Sequence, residues 1–358
     1  MKKVISISLL YLLAFTTFGQ SSTIKYPKNI IFLIGDGMGV SQIYAGLTAN
    51  KGHLALERIR HIGFHKNQAS DNYVTDSAAG ATAFSTGKKT YNGAIGVDAT
   101  QAPQVTLLEL AEKKGLATGL VSTADITDAT PAAFIAHQIK RNMHDEIAKD
   151  FLKTDVDIVV GGGRKSFDQR KDGQNLLDSL KSKKYQVVES LAEMNAIKQG
   201  KFIYLYASGD PIKISEGRGD VLLDATNKSM ELLSMNKKGF FVMIEGGQID
   251  WGGHANDTNY AVSEMVDFNK SIEAALNFAE KDKETLVLIT ADHETGGMAL
   301  LGGDMTTGEV KASFITKGHT GQMVPVFAFG PGSEVFQGIY QNTAIFDKLK
   351  AALRLSQK

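Results

Sequence analysis

The chain has 358 residues, an apolar fraction of 43%, and 39 basic against 39 acidic residues. The length and apolar content favour one large α/β domain with a sizeable core, and the balanced charge gives no electrostatic signal for nucleic acid or a membrane surface. Because the chain contains no cysteine, disulfides, thiolate metal sites, a cysteine nucleophile and a lipoprotein anchor are excluded.

The first 19 residues are predicted to be a secretory signal. Lys2 and Lys3 precede an apolar run from Val4 to Phe15, which is too short to span a bilayer comfortably, and residues 17–19 form a cleavage signature. The alternative is an uncleaved anchor. No later apolar run has membrane-spanning length, so we expect residues 20–358 to be exported to the periplasm or the medium, with no membrane anchor after cleavage.

Short apolar strands alternate with helices along the rest of the chain. Strands are predicted at 29–34, 116–121, 157–160, 185–188, 202–206, 239–244, 285–290 and 324–329, and helices at 105–114, 131–152, 174–184, 190–198, 220–237, 258–281 and 343–355. In the helix at 131–152, Pro131 is expected at the first position with Thr130 as cap. The alternation is typical of a mostly parallel sheet with helices on both faces, which binds ligands where its strands end.

Three of these strands end in acids or histidines: Asp36 after the first, Glu245, Asp250 and His254 after 239–244, and Asp292 and His293 after 285–290. We expect these side chains to converge at one edge of the sheet, where cations would offset the repulsion between carboxylates. Mixed carboxylate and imidazole ligands suit zinc, whereas all-oxygen sites suit magnesium. Asp250 and His254 are one helical turn apart and could face one ion. The neighbours Asp292 and His293 should point toward two separate ions or two sides of one site.

The other histidines carry less information. His319 lies in a glycine-flanked loop and, taken alone, is an ordinary loop residue. We expect four further histidines to be surface or packing residues: His53, His61, His65 and His144.

Ser77 follows Asp76 and precedes a run of small residues. Taken alone, Ser77 is most simply a helix N-cap supported by Asp76. A serine at a helix start can also present its oxygen where backbone N–H groups attract an anion, and the acids and histidines at the strand ends favour a metal-activated nucleophile. Arg141 could hold a phosphate with its forked guanidinium, or be a solvated charge beside Lys140. No dinucleotide or Walker glycine pattern follows the first strand. Together these residues predict phosphoryl transfer.

These residues resemble, in order, the motifs of the alkaline phosphatases from about residue 28 to the C-terminus. The segments that carry the resemblance are 34–39, 74–79 with 90–93, 128–133, 245–250, 290–297 and 319–321. The resemblance implies a catalytic domain over residues 20–358 with that family's fold and a very small crown insertion, because only residues 294–318 separate His293 from His319. It also implies hydrolysis of small phosphate monoesters through a phosphoserine on Ser77, with two zinc ions and one magnesium ion, and it allows a homodimer.

The same resemblance assigns roles to individual residues. It implies that the first zinc is bound by Asp250, His254 and His319, and that the second zinc, beside Ser77, is bound by Asp36, Asp292 and His293. It also implies that magnesium is bound by Asp36, Thr130 and Glu245. The phosphate would be bound by Arg141, which Asp76 orients. Trp251 stands where the best-known bacterial enzymes have lysine and mammalian ones have histidine, whereas Asp128 keeps the bacterial acid. We expect the Asp128–Trp251 pair to affect magnesium retention and phosphate release.

Two other functions compete with this interpretation. The first is a phosphodiesterase or sulfatase of the same superfamily, but the Ser77 stretch lacks the proline context of a sulfatase, and Arg141 with a third metal suits a dianionic group. The second is an exported metal- or phosphate-binding protein without turnover, which the complete set of ligands and nucleophile does not favour.

Overall fold

The structure is a computed structural model that describes residues 26–355, so the predicted signal at 1–19 lies outside the described residues. The strands are β1 Asn29–Gly35, β2 His61–Lys66, β3 Ala117–Asp125, β4 Ile158–Gly162, β5 Gln186–Val188, β6 Phe202–Leu205, β7 Phe240–Gly246, β8 Thr285–Thr290, β9 Glu294–Thr295, β10 Ala299–Asp304, β11 Glu309–Ser313, β12 His319–Thr320, β13 Val324–Phe329 and β14 Gly338–Gln341. The helices are α1 Val40–Ala49, α2 Ser77–Thr86, α3 Leu107–Lys114, α4 Ala129–Ala132, α5 His144–Asp150, α6 Lys165–Asp168, α7 Leu176–Ser182, α8 Leu191–Ala196, α9 Val221–Leu233, α10 Gln248–His254, α11 Thr258–Asp282 and α12 Thr343–Ala352.

Ten strands form one central sheet in the order β14-β2-β13-β8-β1-β7-β3-β4-β6-β5. β1 lies between β7 and β8 and is parallel to both. Within this ten-stranded sheet, as the described strands form it, β13 alone runs antiparallel to its neighbours, β8 and β2. The prediction of a mostly parallel sheet is therefore confirmed.

Helices cover both faces of the sheet, because the central strands are apolar on both sides. All seven residues of β1 are buried. Ile30, Phe32 and Ile34 enter one core, whereas Ile31 and Leu33 enter the core on the opposite face. This alternation follows from the two-residue period of a strand, and burial on both faces explains the continuous apolar run.

The predicted helix at 131–152 is wrong. Its first part is the short α4, in which Asp128 occupies the N-cap position and Pro131 is the third residue. The chain then turns until α5, and Gln138 forms a two-way backbone bridge with Ile95 at N–O distances of 2.9 Å. Because these peptide groups bond to a distant segment, they cannot continue a helix, and Arg141 lies on a turn.

Several elements were not predicted from the sequence: α1, β2, β14 and the antiparallel hairpin of β10 and β11. The hairpin is the main content of the segment between His293 and His319, so the expected very small insertion is confirmed. Within residues 26–355, no helix combines the length and the apolar character needed to cross a membrane.

Candidate active site

The acids and histidines meet at one edge of the sheet because three neighbouring strands end level with one another. Ile34 of β1 is in register with Glu245 of β7 and with Thr290 of β8. Asp36 and Asp292 each follow two residues later, so the predicted convergence of these strand ends is confirmed.

His293 lies at the centre of the first group of side chains. Its Nε2 atom is 3.4 Å from Asp36 Oδ1, 3.2 Å from Asp292 Oδ2 and 3.1 Å from Ser77 Oγ. All four residues are buried. The adjacent residues Asp292 and His293 therefore both face this group, and its two carboxylates and imidazole could hold one metal ion, while His293 also lies within reach of Asp250 and His319.

The second group consists of Asp250, His254 and His319. His254 Nε2 is 3.2 Å from both Asp250 Oδ2 and His319 Nε2, and His319 Nε2 is 3.5 Å from Asp250 Oδ1. The helix α10 places Asp250 and His254 on one face, as their spacing predicts. The ring of His319 stacks on that of His293 with centroids 3.5 Å apart, so the two groups are contiguous.

A third, oxygen-only group surrounds Glu245, whose charge helps to raise the pKa of Asp36. Glu245 accepts a hydrogen bond of 2.5 Å from Ser122 Oγ, and the buried hydroxyl of Thr130 also faces the Glu245 carboxylate and favours its ionised form. Ser122 was not predicted as a site residue. It pairs in register with Glu245 across β3 and β7, which only the strand order could reveal.

Burial of these acids makes the region electrostatically unfavourable without a cation. Burial, with the charge of neighbouring carboxylates, raises the pKa of Asp36 well above its usual range and that of Asp292 to about 7. Burial also raises the pKa of Glu245 to about 8. Asp36 Oδ1 and Asp292 Oδ2 have no hydrogen-bond partner within residues 26–355. Buried carboxylate oxygens left in this way fit metal ligands, because a cation would satisfy them and offset the repulsion.

Asp250 and His254 instead stabilise each other's charged forms. Burial opposes ionisation of Asp250, but the bond to His254 and the nearby imidazoles outweigh it and hold the pKa of Asp250 well below its usual range. The same bond raises the pKa of His254 to about 9. Burial lowers the pKa of His293 well below its usual range, so this imidazole is neutral and can act as a ligand.

Backbone carbonyls orient the two outer histidines. The Nδ1 atom of His254 lies 2.5 Å from Lys317 O, and that of His319 lies 2.9 Å from Thr75 O. In a neutral ring each Nδ1–H donates to its carbonyl, so the lone pair of Nε2 faces the cluster, as metal-binding histidines require. Thr295 joins the groups, since its hydroxyl contacts Asp250 Oδ1 and lies 3.2 Å from His293 Nδ1. No pattern of residue types distinguishes Thr295 from its neighbours within the segment 290–297.

Ser77 is the first residue of α2, and the N-cap is Asp76, which accepts a hydrogen bond from Ala79 N at 2.9 Å. The reading of Ser77 as the cap is therefore wrong, and its hydroxyl points at His293. The helix start can approach the cluster because Gly80 has no side chain. A Cβ atom at Gly80 would lie 3.0 Å from Asp292 Cβ.

Arg141 is held between two acids rather than free in solvent. Its Nη1 is 3.2 Å from Asp76 Oδ2 and its Nη2 is 3.1 Å from Asp128 Oδ1, with 34% of the side chain exposed. Asp76 contacts Arg141 as expected, and Asp128 is a second partner. Trp251 follows Asp250 in α10 and is half-buried.

Three of the histidines that were expected to be surface or packing residues bond to groups other than the side chains of the cluster. His65 is fully buried and bonds to Ala291 O at 2.8 Å. His61 contacts Ser333, and His144 contacts Thr127.

A serine beside carboxylates and imidazoles at the edge of an α/β sheet is the arrangement of a metal-assisted hydrolase. Comparisons with known proteins make the class specific. A family model described as alkaline phosphatase matches residues 27–315. Alkaline phosphatase 3 of Bacillus subtilis is 35% identical over 100% of this chain and 98% of its own length, and the Escherichia coli alkaline phosphatase is 33% identical over 92% and 87%. The chain belongs to the alkaline phosphatase family and is therefore a phosphomonoesterase, a hydrolase.

Solved structures agree with this assignment. The alkaline phosphatase of the Antarctic bacterium TAB5 is 40% identical, with a TM-score of 0.87 over 93% of this chain and 100% of that one. A single-residue variant of that enzyme is described as having Mg bound in its M3 site. The Shewanella cold-active enzyme is 31% identical, with a TM-score of 0.84 over 91% of this chain and 99% of that one. The fold expected from the sequence is confirmed.

Proposed function

We propose that this protein hydrolyses small phosphate monoesters through a phosphoserine on Ser77, with two zinc ions and one magnesium ion. The observation that carries the proposal is the position of Ser77 Oγ, 3.1 Å from His293 Nε2 inside a buried set of carboxylates and imidazoles. A hydroxyl in that position can be ionised only where positive charge is concentrated.

The chemistry of the side chains suggests which residues would hold each ion. The second group, which contains two imidazoles, suits zinc, and so does the first group, which contains one imidazole. The third group contains only oxygen ligands and suits magnesium. We assign Asp250, His254 and His319 to one zinc, Asp36, Asp292 and His293 to the other, and Asp36, Thr130 and Glu245 to magnesium. When bound, the ions would supply Lewis acidity and neutralise the acids that surround Ser77.

The chain's own residues then account for the steps of the reaction. Ser77 Oγ loses its proton to solvent and attacks phosphorus; the bond from Oγ to phosphorus forms as the bond to the leaving alkoxide breaks, and the alkoxide takes a proton from water and departs as the alcohol. Arg141, which contacts Asp76 and Asp128, would hold two non-bridging phosphate oxygens with its fork. A water then attacks the phosphoserine, releases inorganic phosphate and returns Ser77 to its starting form.

The test is Ser77→Ala, with Ser85→Ala as the matched control. Ser85 lies in the same helix and donates a buried hydrogen bond of 2.6 Å to Ala133 O, away from the cluster. We expect Ser77→Ala to reduce turnover of p-nitrophenyl phosphate by at least about 10³-fold and Ser85→Ala to reduce it less than about 10-fold. Near-full activity of Ser77→Ala would contradict the nucleophile assignment.

Metal dependence and ester class are tested on the wild-type protein. We expect a chelator to abolish turnover and zinc with magnesium to restore it, while elemental analysis should find about two zinc and one magnesium per chain. Indifference to the chelator would contradict the metal assignment. A faster rate on bis-p-nitrophenyl phosphate than on the monoester would favour a diesterase, and phosphate binding without turnover would favour a binding protein.

The remaining proposals concern location and neighbours. We propose that residues 1–19 direct export and are removed, which N-terminal sequencing of the mature protein would check. A dimer of 20–358, which light scattering would detect, is compatible with the proposal. We also propose that the Asp128–Trp251 pair sets magnesium retention, which Trp251→Lys would test through the magnesium content after dialysis.

A further inference from the structure

The extended segment that leads into the Ser77 helix is held between side chains on its two sides. On one side, Asn92 Nδ2 donates to Val74 O at 3.0 Å and Asn92 Oδ1 accepts from Asp76 N at 2.9 Å. On the other side, Thr75 O lies 2.9 Å from His319 Nδ1. Successive peptide groups of an extended chain point in opposite directions, so the amide of Asn92 acts as a short neighbouring strand.

The segment 91–93 also reaches the turn that carries Arg141. Gly93 N donates to Asp76 Oδ2 at 2.9 Å, and that same oxygen is 3.2 Å from Arg141 Nη1. Tyr91 hydroxyl donates to Ile139 O at 2.9 Å, two residues before Arg141. Three consecutive residues therefore contact both the segment that precedes the nucleophile and the turn that carries the arginine.

We propose that Tyr91, Asn92 and Gly93 form a positioning clamp that sets the place of Ser77 relative to Arg141 and His319, with Asn92 fixing the nucleophile and Tyr91 fixing the arginine. The inference rests on the proposed function. Neither the side chain of Tyr91 nor that of Asn92 touches the reacting atoms, so both residues act through other residues. An amide is needed at Asn92 because the site requires a donor and an acceptor on one planar group, which aspartate and leucine of similar size cannot provide.

The clamp predicts different kinetic effects for its two arms. Asn92→Leu should lower kcat about 10- to 100-fold with a KM change below about 3-fold, because a displacement of the nucleophile by about 1 Å is expected to cost that much. Tyr91→Phe should instead raise the KM and the inhibition constant for inorganic phosphate about 3- to 10-fold with a smaller change in kcat, because it loosens the turn of the phosphate-binding Arg141. A merely structural role would lower thermal stability without this split.

Asn72→Ala is the matched control. Asn72 Oδ1 accepts a hydrogen bond of 3.0 Å from Val74 N, so this variant removes one bond to the same segment on its solvent-exposed side. We expect its kcat and KM to stay within about 2-fold of wild type. All variants are assayed as the metal-loaded holoenzyme below their melting temperatures, with the metal content of each measured, so that metal loss is not mistaken for misplacement.

The outcomes separate the two proposals. A wild-type protein that does not hydrolyse p-nitrophenyl phosphate overturns the proposed function. The clamp is overturned if the wild type is active and the kcat of Asn92→Leu equals that of Asn72→Ala. It is also overturned if Asn92→Leu loses activity only in proportion to its loss of bound metal. Should Asn92→Leu not fold, Asn92→Asp decides by the same comparison, because it keeps the acceptor for Asp76 N but replaces the donor to Val74 O by a charged oxygen that repels this carbonyl.

Discussion

The carboxylate of Asp76 performs three tasks at once, which makes its loss measurable as stability. It caps α2 through Ala79 N, accepts from Gly93 N and pairs with Arg141. A lost N-cap costs about 1 kcal/mol, a lost hydrogen bond to a charged acceptor costs about 1 to 2 kcal/mol, and a partly exposed ion pair adds at most about 1 kcal/mol. Asp76→Ala should therefore destabilise the fold by about 2 to 4 kcal/mol.

The control for this prediction is Asn175→Ala at the start of α7. Asn175 is exposed, lies far from the candidate site in sequence, and accepts only capping bonds, from Leu177 N at 3.0 Å and Asp178 N at 3.4 Å. It should cost about 1 kcal/mol. Asp76→Asn should fall between the two, because asparagine can still cap the helix but turns a donor toward Gly93 N or Arg141.

Equilibrium urea unfolding measures all three variants against wild type. The experiment is run at saturating zinc and magnesium and again with a chelator, because bound ions stabilise the native state by mass action. Differences in the free energy of unfolding that persist in the presence of the chelator are due to the hydrogen bonds themselves and not to bound ions. An Asp76→Ala loss no larger than that of Asn175→Ala would refute the reasoning that this carboxylate links the helix, Gly93 and the arginine.

Three further outcomes follow from contacts outside the candidate site. Burial opposes the charged form of His137, but hydrogen bonds to Glu109 and to a carbonyl outweigh it and raise the pKa of His137. The charged His137 therefore stabilises the fold fully below about pH 6.5, the ordinary pKa of histidine, and this contribution is lost as the pH rises through the raised pKa. In urea unfolding, His137→Gln should lower the free energy of unfolding more at about pH 6 than at about pH 9. An equal loss at both pH values would contradict the ion pair. Arg218 is buried against two carboxylates at 2.5 and 3.0 Å, so Arg218→Met should cost about 3 to 5 kcal/mol by denaturant titration, and a loss below about 1 kcal/mol would contradict the pairing. Gly87 and Gly217 both have positive φ, at 72° and 99°, but a Cβ at Gly87 would lie 2.6 Å from a phenylalanine ring, whereas Gly217 faces open space. Gly87→Ala should therefore lower the melting temperature clearly more than Gly217→Ala, and equal shifts would show that the ring moves away freely.

The strand-end acids could be located from the sequence because the reasoning needed only local facts. An apolar run such as 29–34 must be buried on both faces, buried strands of this kind are parallel, and parallel strands end at one edge. Asp250 and His254 needed only the period of a helix. The family resemblance added His319, whose loop carries no periodic signal of its own.

The turn around Arg141 could not be predicted because its conformation is decided far away along the chain. Residues 131–152 have helical composition, yet Gln138 pairs with Ile95, and His137 N donates to the carboxylate of Asp150 at 3.1 Å. These long-range bonds outweigh a weak local preference. The supporting roles of Ser122 and Thr295 depend on strand register and side-chain distances that no pattern of residue types encodes.

The hairpin of β10 and β11 is closed at its base by the short ladder of β9 and β12, in which His319 pairs with Thr295. The ladder fixes both ends of the hairpin next to the candidate metal ligands. The positions of these ligands therefore do not depend on the length of the hairpin. Closing a flexible loop costs only about 0.6 kcal/mol more for each doubling of its length. The tip at 305–308 is therefore an insertion point for engineering: an added peptide or small domain there should leave His319 where it is.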